Sequence, residues 1–160
     1  MKLLVLSDSH RTMKHMRYAA ENTGPDAIIH LGDHISDALE LQRQFPQIAF
    51  YMVNGNCDIH SAGKNELLLE FDGVVVFVTH GHKYGVKSGQ SALINAARDR
   101  GAALALFGHT HQVLLEQAPG GLWLMNPGQM MRHDNIAPAS YGVVTIEGGE
   151  LSCGIGYLPR

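Results

Sequence analysis

A chain of 160 residues with 45% hydrophobic residues is the size of one ordinary domain and can enclose a substantial core without disulfides. Only 17% of its residues are charged and 12 basic against 15 acidic residues leave a net charge of -3, which excludes a disordered chain and leaves no basic excess for gripping nucleic acid. No apolar run approaches the roughly 20 residues of a membrane-spanning helix. The short run Leu3–Leu6 makes no signal peptide, and Cys57 and Cys153 make no disulfide framework, so a reduced, cytoplasmic protein is expected.

Residues 1–160 read as one domain without repeats, low-complexity tracts or linkers. Lys2–Leu6 is a continuous apolar run ending at Ser7-Asp8, the pattern of a strand buried on both faces. Thr12–Asn22 carries Met13, Met16, Ala19 and Ala20 at helical spacing and is stopped by Gly24-Pro25. A second buried strand, Asp26–Leu31, runs into Gly32-Asp33. Ser36–Phe45 reads as a helix with a serine cap and Ala38, Leu39, Leu41 and Phe45 facing inward. Ile48–Val53 is a third strand, ending at Asn54-Gly55-Asn56. This β-α-β-α-β opening implies parallel strands with right-handed crossovers. Next, Glu66–Phe71 and Val74–His80 flank Asp72-Gly73, a two-residue hairpin signal. A helix over 88–100 precedes a strand at Ala103–Phe107. Short strands are predicted at Gln112–Gln117, Leu122–Met125, Tyr141–Ile146 and Leu151–Tyr157. The predicted class is α/β, with two sheets packed face to face and helices outside.

The strand ends share one chemistry. The first strand delivers Asp8 and His10, the second Asp33, the third Asn56, the hairpin His80, and the strand after the long helix His109 and His111. The carboxyl ends of strands in an open α/β sheet form a common rim where ligands bind. In Asp-x-His and His-x-His both side chains fall on one side of an extended segment, so each pair can face one centre or two adjacent ones. A Gly-Asp after a strand is ordinarily a turn and a lone histidine ordinarily a surface residue. Seven such groups, each beside glycine-rich turns, point instead to a two-metal hydrolytic site. Oxygen and imidazole donors suit Mn²⁺, Fe²⁺, Zn²⁺, Co²⁺ or Ni²⁺, and a thiolate-rich structural zinc site is excluded.

The series Asp8-Ser9-His10, Gly32-Asp33, Gly55-Asn56, His80-Gly81-His82 and Gly108-His109-Thr110-His111 resembles the calcineurin-like metallophosphoesterases. The tract Thr79–Gly85, with Gly55-Asn56-Cys57-Asp58 and Asn126-Pro127-Gly128, is similar to their small phosphodiesterase branch of the YfcE type. The resemblance runs in order from Met1 to about Gln129, and the remaining strands are expected in the second sheet. It implies a four-layer α/β/β/α sandwich of two mixed sheets (the metallo-dependent phosphatase fold). It also implies two divalent ions, manganese foremost: Asp8, His10 and His111 on one, Asn56, His80 and His109 on the other, and Asp33 bridging. Two dications less two carboxylates leave two positive charges, and a bridging hydroxide leaves one, matching a phosphodiester.

The activity implied is hydrolysis of a small or exposed phosphodiester by that hydroxide. The alternatives are a phosphomonoesterase or phosphoprotein phosphatase, or a catalytically silent scaffold of the same fold. Arg11, His34, His82 and Lys83 are candidate substrate contacts. His15, His30, His60 and His133 read as structural or solvated. Many relatives carry a histidine after Gly-Asn and an aspartate three residues after the bridging one; Cys57 and Ser36 stand there, and Asp37 comes one residue late. Cys57 is read as a buried filler in preference to a redox- or metal-responsive thiol. Asn126-Pro127-Gly128 reads equally as a plain turn or as backbone facing the rim. The expected partner is the small phosphodiester; a membrane and long nucleic acid are disfavoured, and a homo-oligomer is compatible with the sequence.

Overall fold

The N-terminal apolar run forms β1 (Lys2–Leu6), four of its five residues fully enclosed. A computed structural model describes residues 1–131 and 137–159, so the expectation for His133 lies outside the described residues. After β1 the chain forms α1 (Met13–Thr23), which ends at Gly24 in the left-handed conformation, its N–H bonded to the Ala20 carbonyl. The order continues with β2 (Ala27–His30), α2 (Ile35–Gln44) and β3 (Ala49–Met52). The hairpin of β4 (Glu66–Phe71) and β5 (Val74–Thr79) turns at Asp72-Gly73, both at positive φ. A short 3₁₀ turn at His82–Tyr84 precedes α3 (Ser91–Asp99), β6 (Leu104–Leu106), β7 (Val113–Gln117), β8 (Trp123–Pro127), β9 (Ser140–Glu147) and β10 (Glu150–Tyr157).

These strands make two five-stranded mixed sheets, ordered β10-β9-β1-β2-β3 and β4-β5-β6-β8-β7. The period-two alternation of buried strands divides the core into three layers. Leu3, Val5, Ala27, Ile29 and Val144 from one sheet meet Val76, Val78, Leu104, Leu106 and Met125 from the other. The opposite face of the first sheet (Leu4, Leu6, Ile28) packs on Met16, Ala19 and Ala20 of α1 and Leu41 of α2. The opposite face of the second (Phe77, Ala105, Leu124) packs on Leu93, Ala96 and Ala97 of α3. The architecture is the α/β/β/α sandwich. Among the described residues no helix is long and apolar enough to cross a membrane.

Two expectations are corrected. The last two strands join the first sheet, not the second: β2 occupies one edge of β1, and β9 satisfies the backbone groups of the other edge, antiparallel, with Val5 opposite Gly142. At Gly142 a Cβ would stand 2.5 Å from the Met125 sulfur, so the absent side chain leaves room for the second sheet. The helix predicted from a Ser36 cap begins instead at Ile35, with His34 left-handed at its N-cap and no side-chain cap bond. Leu39 is 49% exposed while Asp37 is buried. Ala38 and Leu41 set the inward face, and Leu39 is rotated about 100° from Ala38.

Candidate metal centre

The parallel strands β1, β2 and β3 of one sheet and β5 and β6 of the other end at one rim, and the loops leaving them carry the polar groups singled out in the sequence. Ligand-capable atoms of Asp8, His10, Asp33 and His111 all lie within 4.8 Å of one another. Beside this group stand His80, its Nε2 3.0 Å from Asn56 Oδ1 and 3.6 Å from Asp33 Oδ2, and His109, with its ring centroid 5.1 Å from that of His80. Asp33 therefore touches both groups. The candidate substrate contacts His34 and His82 divide the same way: His34 lies 4.7 Å from His10 between ring centroids, and His82 lies 5.4 Å from His80 and 6.0 Å from His109. Arg11 and Lys83 are exposed, and among the described residues the Arg11 guanidinium makes no hydrogen bond or ion pair.

The backbone is bent to achieve this. Among the described residues the non-glycine positions at positive φ are Asp8, His10, Arg11, Asp33, His34, His109, His111 and the hairpin Asp72. All but the last lie on rim loops. Each costs on the order of 1–2 kcal/mol and survives only where surrounding bonds over-determine it. Asp58 supplies such bonds: its carboxylate accepts from Asp33 N (2.8 Å), Gly55 N (2.8 Å) and Ile35 N (2.9 Å). Asn126 supplies others, donating from Nδ2 to the Gly108 carbonyl (3.0 Å) and Thr110 Oγ1 (2.9 Å), while Gly128 N donates to its Oδ1. The loops also cross closely. A Cβ on Gly32 would stand 2.5 Å from Gly55 N, and one on Gly108 would collide with Ser7 Oγ.

The donor set fits a cation. His80 Nδ1 lies 2.7 Å from the Leu31 carbonyl and must donate to it. Nε2 then presents a lone pair to Asn56 Oδ1, two acceptors face to face, which either a proton or a metal ion reconciles. Asp8 Oδ2 accepts from Ser7 Oγ (2.5 Å) and His109 N (3.2 Å). Its Oδ1 has only His111 Nε2, in contact at 3.0 Å but off the direction of a hydrogen bond; buried His10 Nε2 is unpartnered. Buried acceptors without partners are costly, and a metal ion satisfies them.

Electrostatics point the same way. Burial pushes the Asp8 carboxyl up, but His111, His80 and the Ser7 hydroxyl beside it hold it down at about 2, so it is a carboxylate at neutral pH. Burial, then the neighbouring imidazole of His34, lowers His10. Burial, then His80 and Lys87, lowers His109, which keeps both rings neutral and ligand-ready. His111 is raised, by its contact with Asp8.

The structure places the remaining histidines and Cys57. His30 is fully buried inside β2, its Nε2 3.1 Å from Ser9 Oγ and its Nδ1 accepting from Gly32 N. His15 Nδ1 lies 2.6 Å from the Met130 carbonyl, and His60 is exposed. The reading of Cys57 as buried filler is corrected: the residue is exposed, its N–H donates to Asp33 Oδ1 (2.9 Å) and its Sγ accepts from Asn56 Nδ2 (3.7 Å). Partial desolvation of the sulfur, then the Asp33 charge, raises its thiol, which stays protonated. Asp37 does not take the role of the absent orienting aspartate: its carboxylate is tied to Ser9 Oγ (2.8 Å) and Arg11 N (2.7 Å). Asn126-Pro127-Gly128 is no plain turn, since Asn126 and Pro127 end β8 and the Asn126 amide braces the loop of His109 and His111. Sequence reasoning missed Asp58, which closes its Gly55-Asn56-Cys57-Asp58 motif, and Lys87, whose charge reaches both His109 and His111.

Residues 1–149 match the family profile described as the calcineurin-like phosphoesterase superfamily domain. The chain is 33% identical over 150 residues to the "Probable metallophosphoesterase YsnB" of Bacillus subtilis, covering 92% of this chain and 85% of that protein. Solved structures that share its fold include two phosphoesterases. One is a predicted phosphoesterase from Streptococcus pneumoniae, with TM-score 0.79 and 23% identity, covering 98% of this chain and 88% of that one. The other is the phosphoesterase Yfce from E. coli, with TM-score 0.69 and 22% identity, covering 91% and 88%.

Proposed function

The chain belongs to the calcineurin-like phosphoesterase superfamily, and from that premise we propose that it is a metal-dependent phosphodiesterase for a small or exposed phosphodiester. The observation that carries this reading is the convergence of Asp8, His10, Asp33 and His111 with acceptor atoms left unpaired. Asp8, His10 and His111 would hold one divalent ion and Asn56, His80 and His109 a second, with Asp33 within reach of both groups. Manganese is the first candidate among the ions that oxygen and imidazole donors suit. When bound, such a pair supplies Lewis-acid charge to phosphoryl oxygens and activates water at neutral pH. The chain's own work is positional. The Leu31 carbonyl fixes His80 with Nε2 toward the rim. Ser7 and the His109 N–H fix the Asp8 carboxylate. Asp58 locks the Asp33 loop against the Gly55 loop.

A diester is favoured over a monoester by charge. Two bound dications, offset by two carboxylates among neutral imidazoles, would leave a modest positive surplus suited to a monoanion, and the lysines near the site, Lys83 and Lys87, are exposed. A protonated, exposed Cys57 stands where an imidazole would assist the leaving group. General acid assistance is typically worth about 10²–10⁴-fold, so activated aryl leaving groups depart best here.

The test is hydrolysis of an aryl phosphodiester against the matching monoester by metal-stripped protein, with each divalent ion restored in turn. The diester is expected to be the better substrate, and Asp33→Asn is expected to lose several orders of magnitude in kcat/KM together with at least one ion. Full activity in strong chelator, or an Asp33→Asn protein that keeps two ions and a near-normal rate, would overturn the reading.

A further inference from the structure

His10 reaches the rim from a tight turn that its own residues do not favour. The Ser9 carbonyl accepts from Thr12 N (3.0 Å) and from the Thr12 hydroxyl, which closes a four-residue turn over Ser9–Thr12. The two central residues, His10 and Arg11, both stand at positive φ, 41° and 67°. Turns with that backbone are dominated by glycine, asparagine and aspartate, so an imidazole and a guanidinium there need support from outside the turn. It comes from α2, 26 residues beyond Arg11. Asp37 Oδ2 accepts from Ser9 Oγ (2.8 Å) on one side of His10 and from Arg11 N (2.7 Å) on the other. We infer that Asp37 is a positioning residue, which holds this turn in the geometry that brings His10 against Asp8, Asp33 and His111. The consequence for metal affinity rests on the metal-dependent reading above; the brace itself does not.

Asp37 is well placed to act as a brace. It is buried in the first turn of α2, and its own N–H donates to the His34 carbonyl (2.9 Å). The start of that helix is fixed separately, because Asp58 accepts from Ile35 N. The Ser9 hydroxyl is held from its far side as well, with Oγ 3.1 Å from Nε2 of the fully buried His30. The imidazole of His10 has no such anchor of its own. Among the described residues its buried Nε2 is unpartnered, and its neighbours are the rings of His34 and His111, 4.7 and 5.4 Å away between centroids. The position of the ring is therefore set by its backbone, and a turn released toward negative φ carries it off the rim. Groups that orient metal-binding side chains are typically worth about 10–100-fold in affinity.

The imidazole NMR signals of His10 and His80 report one ring for each proposed ion. They are followed as chelator-buffered Zn²⁺ is raised over metal-stripped wild type, Asp37→Ala and Asp37→Asn. In Asp37→Ala the free Zn²⁺ at which His10 responds should rise at least tenfold, while the midpoint of His80 stays within about threefold of wild type. Asparagine keeps an oxygen that can accept both bonds but removes the charge, so Asp37→Asn should hold both midpoints within about threefold. An unchanged His10 midpoint in the alanine variant, or a loss shared equally by His80, would overturn the inference. An equal loss in the asparagine variant would also overturn it, by making Asp37 a distant charge and not a brace. If Asp37→Ala does not fold, Ser9→Ala cuts one of the two bonds and should raise the His10 midpoint at least threefold; no rise would be equally fatal. If neither ring of wild type responds, the metal-dependent reading fails, and the brace is judged in metal-free protein by hydrogen exchange at the Arg11 amide. Exchange there should be at least tenfold faster in Asp37→Ala than in wild type or Asp37→Asn, and equal rates in all three would overturn the inference.

Discussion

His30 has no exposed surface, and both of its ring nitrogens are committed. Nδ1 accepts from Gly32 N, so Nε2 carries the proton and donates to Ser9 Oγ, which in turn donates to Asp37. The network needs the neutral ring, and burial lowers its pKa from 6.5 to about 4. Between those values the unfolded chain binds the proton that the folded one refuses, so stability is full above pH 6.5 and is lost as pH falls toward 4. The whole shift is worth roughly 3 kcal/mol. His30→Gln should therefore show a shallower loss of unfolding free energy between pH 7 and pH 4.5 than wild type, measured by urea denaturation of metal-free protein. Parallel curves would mean that His30 does not titrate in this way. Neighbouring residues show how far sequence reaches at this scale. Asp33 and His80 could be named from their places after strands. The Ser9–His30–Asp37 relay beneath them could not, because its members are separated by 21 and 28 residues and meet only once β1, β2 and α2 have packed.

At the scale of elements, the loop after β6 carries two histidines at φ 68° and 61° and depends on β8 for support. Asn126, fully buried at the end of β8, bonds the Gly108 carbonyl and Thr110 side chain from beneath. Groups that orient metal-binding side chains typically contribute 10–100-fold to affinity or activity when removed. Asn126→Ala should weaken metal binding by about that factor, read by competition with a metal indicator, and lower stability by about 1–3 kcal/mol for the acceptors it leaves bare. Unaltered metal affinity in a folded variant would remove Asn126 from the site. Gly32 makes the complementary prediction. Alanine there meets both a φ of 102° and the Gly55 backbone, so Gly32→Ala should separate the Asp33 and Asn56 loops and destabilise the protein by more than the 1 kcal/mol or so of an ordinary glycine substitution. A thermal melt within a degree of wild type would contradict this. The elements themselves were legible from apolar runs and hairpin chemistry, as at Asp72-Gly73. The orientation of α2 was not: Leu39 reads as core by type, but the phase of the helix is set by Ala38 and Leu41 and by the anchoring of Asp37.

Across the whole molecule, the rim draws Asp8, Asp33 and Asn56 from the sheet of β1, β2 and β3, and His80, His109 and His111 from the sheet of β5 and β6. Ions held there would tie the two layers together and act as ligands of the folded state alone. At a hundred times its dissociation constant, a bound ion stabilises by about 2.7 kcal/mol, which for a chain of this size raises Tm by roughly 5–10 °C. Restoring manganese to stripped protein should give a concentration-dependent rise of that order by scanning calorimetry, and Asp33→Asn should lose most of it. A Tm indifferent to every divalent ion would mean that the sheets are not joined in this way.

By itself the sequence determined the strand and helix inventory, the hairpin, and which side chains of one chemical kind follow each strand. Those features rest on interactions between residues within about ten positions of one another, and so they appear as periodicity and spacing. Tertiary structure alone decided which sheet receives β9 and β10, since that choice satisfies the open edge of β1 and interlocks Gly142 with Met125. It alone decided that Cys57 is exposed and that Asp58 rather than Asp37 clamps the loop of Asp33. The physical reason is the same in each case. These contacts join groups distant along the chain, and their partners are set by the packing of two sheets whose separate patterns carry no record of each other.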